Sequence, residues 1–231
     1  MAATVVGAST FGFGGWPAGL SLIAFFLTGS ALSRRKYVPG ELPSAKGHRR
    51  DAIQVLANGG FAALGSALAG WGHPRGQGAA LGALAAAAAD TWASEIGVRS
   101  PTPPRSVLTG DVVLPGTSGG VTPLGWMASA GGALLIGLTW MLWSDRRVST
   151  LAAALAAGLA GSLADSVAGA TIQAAYCCVV CGAPSETAGE HCGQARQLVR
   201  GRAWITNDVV NGIGTAAGAS VGALLLRPHN T

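Results

Sequence analysis

Six apolar stretches of 19 to 28 residues cover most of this 231-residue chain. A transmembrane helix needs about 20 mostly apolar residues, so each stretch is long enough to cross a bilayer. They run from Val5 to Leu32, Ala52 to Gly70, Gly78 to Ile96, Val121 to Trp143, Leu151 to Tyr176 and Ile205 to Leu226. The sequence therefore predicts an all-α, polytopic membrane bundle of about six transmembrane helices, forming a single integral membrane domain over residues 1–231.

The scarcity of charge excludes several other classes of protein. Asp, Glu, Lys and Arg make up 11% of the residues, against about 25% in an ordinary soluble domain. A soluble enzyme needs more surface charge, a disordered chain is less apolar, and a nucleic-acid binder carries a basic patch. For the first stretch a cleaved signal peptide is an alternative, but no basic residue precedes it and the apolar run is long.

The positive charges predict an orientation. Eleven of the fifteen Lys and Arg residues lie in the first, third and fifth loops, and the others are Arg75, Arg146, Arg147 and Arg227. Because basic loops stay on the cytoplasmic side, these three loops are expected to face the cytoplasm or the equivalent side of an organelle. The fifth includes a cysteine-containing segment at about 177–204.

Polar residues inside the apolar stretches lie toward the same side as the basic loops. Charged residues within a membrane are costly and indicate a functional site, although a lone Asp can also serve a structural hydrogen bond between helices. This group comprises Asn58, Asp90, Glu95, Asp165, Asn207, Asp208 and Asn211. The segments Ala89–Ala93 and Ala164–Ala168 resemble each other, which suggests an internal repeat of helical hairpins.

These residues, with their neighbours, favour chemistry on phosphates. Carboxylate and amide oxygens suit Mg²⁺, and Lys46, Arg49 and Arg50 suit phosphate oxygens, although a basic segment can also be a membrane anchor. The loop before the fourth stretch is an ordinary turn by itself, but next to a helix start its backbone N–H groups can cradle phosphate. Its candidate residues are Gly116, Thr117, Ser118 and Gly119. Together these features predict Mg²⁺-assisted phosphoryl transfer to a substrate with an apolar tail at the membrane surface.

A separate motif lies after the fifth stretch. Cys178, Cys181, His191 and Cys192 offer four soft ligands for a tetrahedral, structural Zn²⁺, with Cys177 as an alternate ligand. Unbound thiols and a disulfide are the alternatives, and a disulfide is disfavoured in the cytosol.

Six motifs resemble, in the same order, those of the integral membrane family that includes transmembrane protein 19. They are AKGHRRD at 45–51, QVLANG at 54–59, ADTWASEIG at 89–97, PGTSGGVT at 115–122, GSLADS at 161–166 and NDVVN at 207–211. Plant members of this family are phytyl-phosphate kinases, which make prenyl diphosphates with a nucleoside triphosphate. The resemblance implies a multi-helix membrane fold and this class of activity.

The combined expectation is a CTP-dependent kinase for an isoprenoid monophosphate such as phytyl phosphate. Asp90, Asp165 and Asp208 would bind Mg²⁺ and act in catalysis with Lys46. The other candidate residues would bind substrate phosphates: Arg49, Arg50, Asn58, Glu95, Gly116, Thr117, Ser118, Gly119, Asn207 and Asn211. The expected partners are membrane lipid, the isoprenoid phosphate and the nucleotide, without nucleic acid. A transporter or flippase for a phosphorylated or ionic substrate, and a non-catalytic scaffold, are the alternatives.

Overall fold

Six long helices and seven short strands make up the protein in the computed structural model, which describes residues 1–34, 51–144 and 148–226. The helices are α1 (Ala2–Leu32), α2 (Ala52–Gly70), α3 (Gly76–Gly97), α4 (Pro123–Leu142), α5 (Val148–Thr171) and α6 (Asn207–Leu225). The strands are β1 (Arg105–Ser106), β2 (Gly120–Val121), β3 (Ala175–Cys177), β4 (Pro184–Ser185), β5 (Glu190–His191), β6 (Gln194–Ala195) and β7 (Gln197–Arg200). The predicted helical bundle is confirmed.

Five of these helices are long and apolar enough to cross a membrane within the described residues: α1, α2, α4, α5 and α6. The third predicted stretch forms α3, which is long enough to cross a membrane but less apolar than the other five helices. Helix α3 lies at the centre of the bundle and contacts all five other helices. Its residues from Ala80 to Ala89 are buried by protein, so this helix needs small side chains for packing more than large apolar ones for lipid.

Small residues let the helices approach closely around α3. A Cβ atom added to Gly132 of α4 would lie 2.6 Å from the carbonyl oxygen of Ala88. One added to Gly65 of α2 would lie 2.5 Å from the backbone nitrogen of Ala80. Packing at these distances requires glycine, which explains the high glycine content.

Two helices differ in detail from the sequence prediction. The fifth apolar stretch was expected to remain helical as far as Tyr176, but α5 ends at Thr171 and Tyr176 lies in β3. The five residues from Ile172 to Tyr176 are apolar enough to resemble a continued span, although they form a turn and the start of β3, in which Tyr176 is buried. Helix α1 is broken at Gly15, whose φ of 67° is left-handed, two residues before Pro17.

Capping side chains mark the first residues of α2 and α4, which begin at the same end of the bundle. The Asp51 side chain accepts a hydrogen bond from the backbone N–H of Gln54 at 2.9 Å and caps α2. Thr122 caps α4 in the same way by accepting from Gly125 at 3.0 Å. The Thr122 hydroxyl also donates to the carbonyl oxygen of Gly97 at 3.3 Å, which ties the end of α3 to the start of α4.

The described loops show a clear asymmetry between the two ends of the bundle. Helices α3 and α4 are joined by residues 98–122, which include the antiparallel pair β1–β2. Helices α5 and α6 are joined by residues 172–206, which form the antiparallel sheet β4-β3-β7 and the hairpin β5–β6. Both long loops cover the same end of the bundle, because α3 and α5 end there and α4 and α6 begin there.

Candidate functional site

A cavity of about 600 Å³ opens between the helix ends and the two long loops. It is bounded by the last turns of α3 and α5, the first turns of α2, α4 and α6, and the loop from Pro115 to Gly120. Its lining includes most of the candidate residues identified from the sequence. These are Asn58, Asp90, Glu95, Gly116, Thr117, Ser118, Gly119, Asp165, Asn207, Asp208 and Asn211.

Two acidic side chains meet in the cavity. Asp90 projects from α3 and Asp165 from α5, and a hydrogen bond joins their carboxyl groups. Both residues are half-buried. Two carboxylates in contact repel each other unless a proton or a cation lies between them. The pair can therefore share a proton, as its hydrogen bond implies, or exchange that proton for a cation.

Helix α6 adds an amide to this pair. With the Asn211 amide oriented to satisfy its neighbours, its nitrogen donates to Oδ2 of Asp165 at 3.0 Å and to the carbonyl oxygen of Asn207 at 3.3 Å. Asp208 lies in the first turn of α6 and is only 5% exposed, although it lines the cavity. Three of the polar groups thus come from the start of one helix.

Helices α2 and α1 complete the helical part of the cavity wall. Asn58 of α2 lies beside the position where the Thr215 hydroxyl of α6 donates to the carbonyl oxygen of Ala57 at 2.7 Å. At the end of α3, Glu95 accepts a hydrogen bond of 2.9 Å from the Ser33 hydroxyl, just after α1. The cavity therefore contains polar groups from five helices and from the residue that follows α1.

The glycine-rich loop is held against α5. Val107 donates its backbone N–H to Gly119 at 2.9 Å, and Gly120 pairs with Ser106 between β1 and β2. Gly119 has a φ of 81°, and an added Cβ atom would lie 2.8 Å from the carbonyl oxygen of Ser166. Glycine is required here both by the backbone conformation and by the close approach.

Glu186 is a site residue that the sequence interpretation missed. Its carboxylate accepts hydrogen bonds from the backbone N–H of Ser118, at 3.0 Å, and from the Ser118 hydroxyl. It also lies close enough to Asp165 for the two negative charges to interact. The cysteine-containing loop thus places a further acidic group at the cavity, and a phosphate bound at the Ser118 N–H must displace Glu186.

The predicted basic residues lie outside the described part of the chain. Lys46, Arg49 and Arg50 fall within residues 35–50, so their roles remain predictions from the sequence. The histidines His73 and His191 are described, but neither lines the cavity.

The four predicted zinc ligands do come together, but they form a second group separate from the cavity. One ligand atom from each of Cys178, Cys181, His191 and Cys192 lies within 4.8 Å of the others, and Cys177 does not belong to this group. Hydrogen bonding from the backbone N–H of Cys181 lowers the pKa of Cys178 to about 6. A hydrogen bond with the Cys181 thiol raises the pKa of Cys192 to about 11.

The donor chemistry of the two groups differs. The cavity offers carboxylate and amide oxygens, which are the ligands of hard cations such as Mg²⁺. The second group offers sulfur and imidazole nitrogen, which suit Zn²⁺. None of the four clustered residues is among the described residues that line the cavity.

Comparison with known proteins gives a family match and two similar relatives. The family described as Integral membrane protein DUF92 matches residues 1–219. The chain is 32% identical over 146 residues to Protein PGR of Arabidopsis thaliana, covering 55% of this chain and 51% of that protein. It is 33% identical over 150 residues to Uncharacterized membrane protein MJ0933 of Methanocaldococcus jannaschii, covering 62% and 63% respectively. The chain thus spans about half to just under two thirds of these relatives, and no solved structure matches it.

Proposed function

The chain belongs to the integral membrane family DUF92, and we propose that it is a Mg²⁺-dependent phosphotransferase that converts an isoprenoid monophosphate to its diphosphate with CTP. The observation that carries the proposal is the contact between the Asp90 and Asp165 carboxyl groups in a cavity that also holds the Pro115–Gly120 loop. Acidic oxygens and a glycine-rich loop in one cavity are the combination needed to bind magnesium and phosphates together.

The reaction is phosphoryl transfer between two phosphate compounds. An oxygen of the lipid monophosphate bonds to the γ-phosphorus of CTP, the bond from that phosphorus to the β-phosphate oxygen breaks, and CDP leaves. The attacking oxygen is already anionic at neutral pH, so no strong general base is required. This agrees with the absence of histidine from the described residues that line the cavity.

The side chains of this protein would position the reactants. Asp90, Asp165 and Asp208 would hold Mg²⁺, which when bound neutralises charge on the transferred phosphoryl group. Asn58 and Asn211 carry amide N–H groups that can donate to phosphate oxygens. The Thr117 hydroxyl, which also lines the cavity, can do the same, and so can the Ser118 hydroxyl once a phosphate has displaced Glu186.

The position of the cavity suits a lipid substrate. It opens at the end of the bundle, where phosphates can remain in water while an apolar tail enters the membrane. Trp126 of α4 lines the cavity and is 38% exposed on the bundle surface, so we assign the exit of the tail to this wall. The choice of CTP and of an isoprenoid chain rests on the resemblance to the transmembrane protein 19 family.

The distribution of basic residues supports a cytoplasmic location for the cavity. Eleven of the fifteen Lys and Arg residues belong in sequence to the first, third and fifth loops, and the described ends of α1, α3 and α5 lie at the cavity end. The positive-inside tendency therefore favours an opening on the cytoplasmic or equivalent side. Nucleoside triphosphates are available there.

Packing below the cavity favours an enzyme over a transporter. A Cβ atom added to Gly161 of α5 would lie 2.8 Å from the carbonyl oxygen of Gly214 of α6. One added to Gly158 would lie 3.2 Å from the carbonyl oxygen of Ala85 of α3. These contacts close α3, α5 and α6 against one another below the carboxylate pair, as a site that opens to one side requires.

The assay uses purified protein in lipid nanodiscs with MgCl₂ and, in separate reactions, CTP, ATP, GTP and UTP. We expect phytyl or geranylgeranyl monophosphate to be converted to the diphosphate, detected by mass spectrometry, and EDTA to abolish conversion. The proposal fails if no nucleotide supports diphosphate formation from either lipid. Uptake of a phosphorylated lipid across a liposome bilayer without any conversion would instead favour a transporter.

A further inference from the structure

The loop between α5 and α6 presents two hairpin tips to each other. Cys178 and Cys181 lie in the connection between β3 and β4, and His191 and Cys192 lie where β5 turns into β6. The two ligand pairs, which are ten or more residues apart in sequence, thus meet at one point of the loop.

The three distances among Cys181, His191 and Cys192 match the edges of a zinc tetrahedron, and Cys178 lies within 4.8 Å of all three. With zinc–sulfur bonds of about 2.3 Å, two sulfur ligands of a tetrahedral ion lie about 3.8 Å apart, and Sγ of Cys181 and Sγ of Cys192 are 3.8 Å apart. A sulfur and an imidazole nitrogen lie about 3.5 Å apart around the same ion. Nδ1 of His191 lies 3.4 Å from Sγ of Cys181 and 3.3 Å from Sγ of Cys192.

The backbone at both tips is shaped for this arrangement. Gly182 follows Cys181 with a φ of 72°, and Gly193 follows Cys192 with a φ of 74°. Cys192 itself has a φ of 54°, a left-handed conformation that is uncommon for a residue with a side chain. Such turns aim backbone N–H groups at the sulfur ligands, as the hydrogen bonds from Val180 and Cys181 to Cys178 illustrate.

The geometry also excludes a disulfide between the nearest cysteines in this structure. A disulfide requires a sulfur–sulfur distance of about 2.05 Å, far shorter than the separation of Cys181 and Cys192, and all four cysteines are free thiols. Unbound thiols alone give no reason for four ligand atoms to gather from two hairpins.

We propose that Cys178, Cys181, His191 and Cys192 bind one Zn²⁺ in a closed structural site that joins the two hairpins. The ligand set is complete with these four residues, so the metal has no open position for a reacting group. The zinc assignment does not rest on the proposed phosphotransferase activity.

The zinc site has a defined consequence for the cavity. Glu186 lies in the segment between Cys181 and His191, which the metal would close at both ends. Closing this segment reduces the conformations open to Glu186 and holds its carboxylate against Ser118.

The first test measures the metal content of purified protein, prepared without chelator, by inductively coupled plasma mass spectrometry. We expect about one zinc per chain in the wild type and in Cys177→Ser, whose thiol lies outside the cluster. Cys181→Ser and Cys192→Ser are expected to lose most of it. Wild-type protein without zinc, or Cys177→Ser losing as much zinc as the two ligand variants, would overturn the proposal.

A second measurement avoids the risk that a ligand variant does not fold. Wild-type protein grown with Co²⁺ should show the intense visible absorption of a tetrahedral cobalt site and sulfur-to-cobalt charge-transfer bands in the near ultraviolet. Weak, octahedral-type absorption without those bands would contradict the assignment. Both tests give an answer even if the protein has no kinase activity, so their failure is distinct from failure of the proposed function.

Discussion

The carboxyl groups of Asp90, on the central helix α3, and Asp165, on α5, are joined by a hydrogen bond. Each residue occupies the same position in a similar segment, Ala89–Ala93 or Ala164–Ala168. The contact forms because α3 and α5 pack closely through Ala85, Ala86, Gly158 and Gly161. The two similar segments thus meet at the candidate site, as expected for a membrane protein built from internal repeats.

The approach of the glycine-rich loop to α5 is testable with a matched pair of glycines. Gly119→Ala and Gly110→Ala both place a side chain at a left-handed backbone, with φ values of 81° and 75°, and each should cost about 1 kcal/mol or more of stability. Only at position 119 does the new Cβ atom also meet α5. We expect Gly119→Ala to raise the KM for nucleotide several-fold and Gly110→Ala to leave it unchanged. Equal KM values for the two variants would contradict the role of the loop.

The charge of Glu186 should matter for metal affinity. Glu186→Gln keeps an oxygen that can accept from Ser118 but removes a negative charge near Asp165. Because that charge attracts a divalent cation, the variant should need several-fold more Mg²⁺ for half-maximal activity. Glu190→Gln, at an exposed position of the same loop, should behave like the wild type. An unchanged Mg²⁺ requirement in Glu186→Gln would argue against metal binding beside Asp165.

The close packing of α6 against α3 predicts different effects on stability for alanine substitutions at two glycines of α6. A Cβ atom added to Gly218 would lie 2.6 Å from the carbonyl oxygen of Gly82, whereas one added to Gly212 meets nothing within 4 Å. Gly218→Ala should therefore destabilise the protein by about 1–3 kcal/mol through overpacking. Gly212→Ala should leave stability unchanged or raise it by up to about 1 kcal/mol through helix propensity. Thermal unfolding in detergent compares them, and equal losses would refute the proposed α3–α6 contact.

The orientation can be tested with a membrane-impermeant maleimide on intact cells. The four native cysteines lie in the loop after α5, at the cavity end, and should be protected from outside. His73 is exposed between α2 and α3, at the opposite end. Wild-type protein should remain unlabelled until the cells are permeabilised, whereas His73→Cys should be labelled at once. Labelling of the wild type in intact cells, with His73→Cys adding no further label, would show that the orientation is the opposite one.

Much of the cavity could be predicted because it is built from polar residues in apolar helices. Asp90 and Asp165 are conspicuous in Ala- and Gly-rich helices, since a charge there is costly. Glu186 gave no such signal, because an acidic residue in a polar loop is ordinary. Its role depends on the fold of the loop after α5, which no periodicity in the sequence indicates.

Some helix boundaries could likewise be predicted from the sequence and others could not. The predicted bounds of the second stretch, Ala52 to Gly70, agree with α2 in the structure. The end of α5 was missed because Ile172 to Tyr176 continue the apolar run, and hydropathy does not distinguish a short buried strand from more helix. The break in α1 had a signal in Pro17, but the strained residue is Gly15.

The most direct test of the account is the transfer of a radiolabelled γ-phosphate from CTP to phytyl monophosphate by Asp165→Asn, compared with Asp111→Asn and the wild type in the same nanodiscs with Mg²⁺. Asp111 is an exposed acidic residue outside the cavity lining, so its variant controls for the loss of a carboxylate elsewhere. We predict that Asp111→Asn retains wild-type activity and that Asp165→Asn loses at least a hundredfold while remaining folded by thermal unfolding. Full activity in Asp165→Asn would contradict the assignment of the Asp90–Asp165 pair as the catalytic centre.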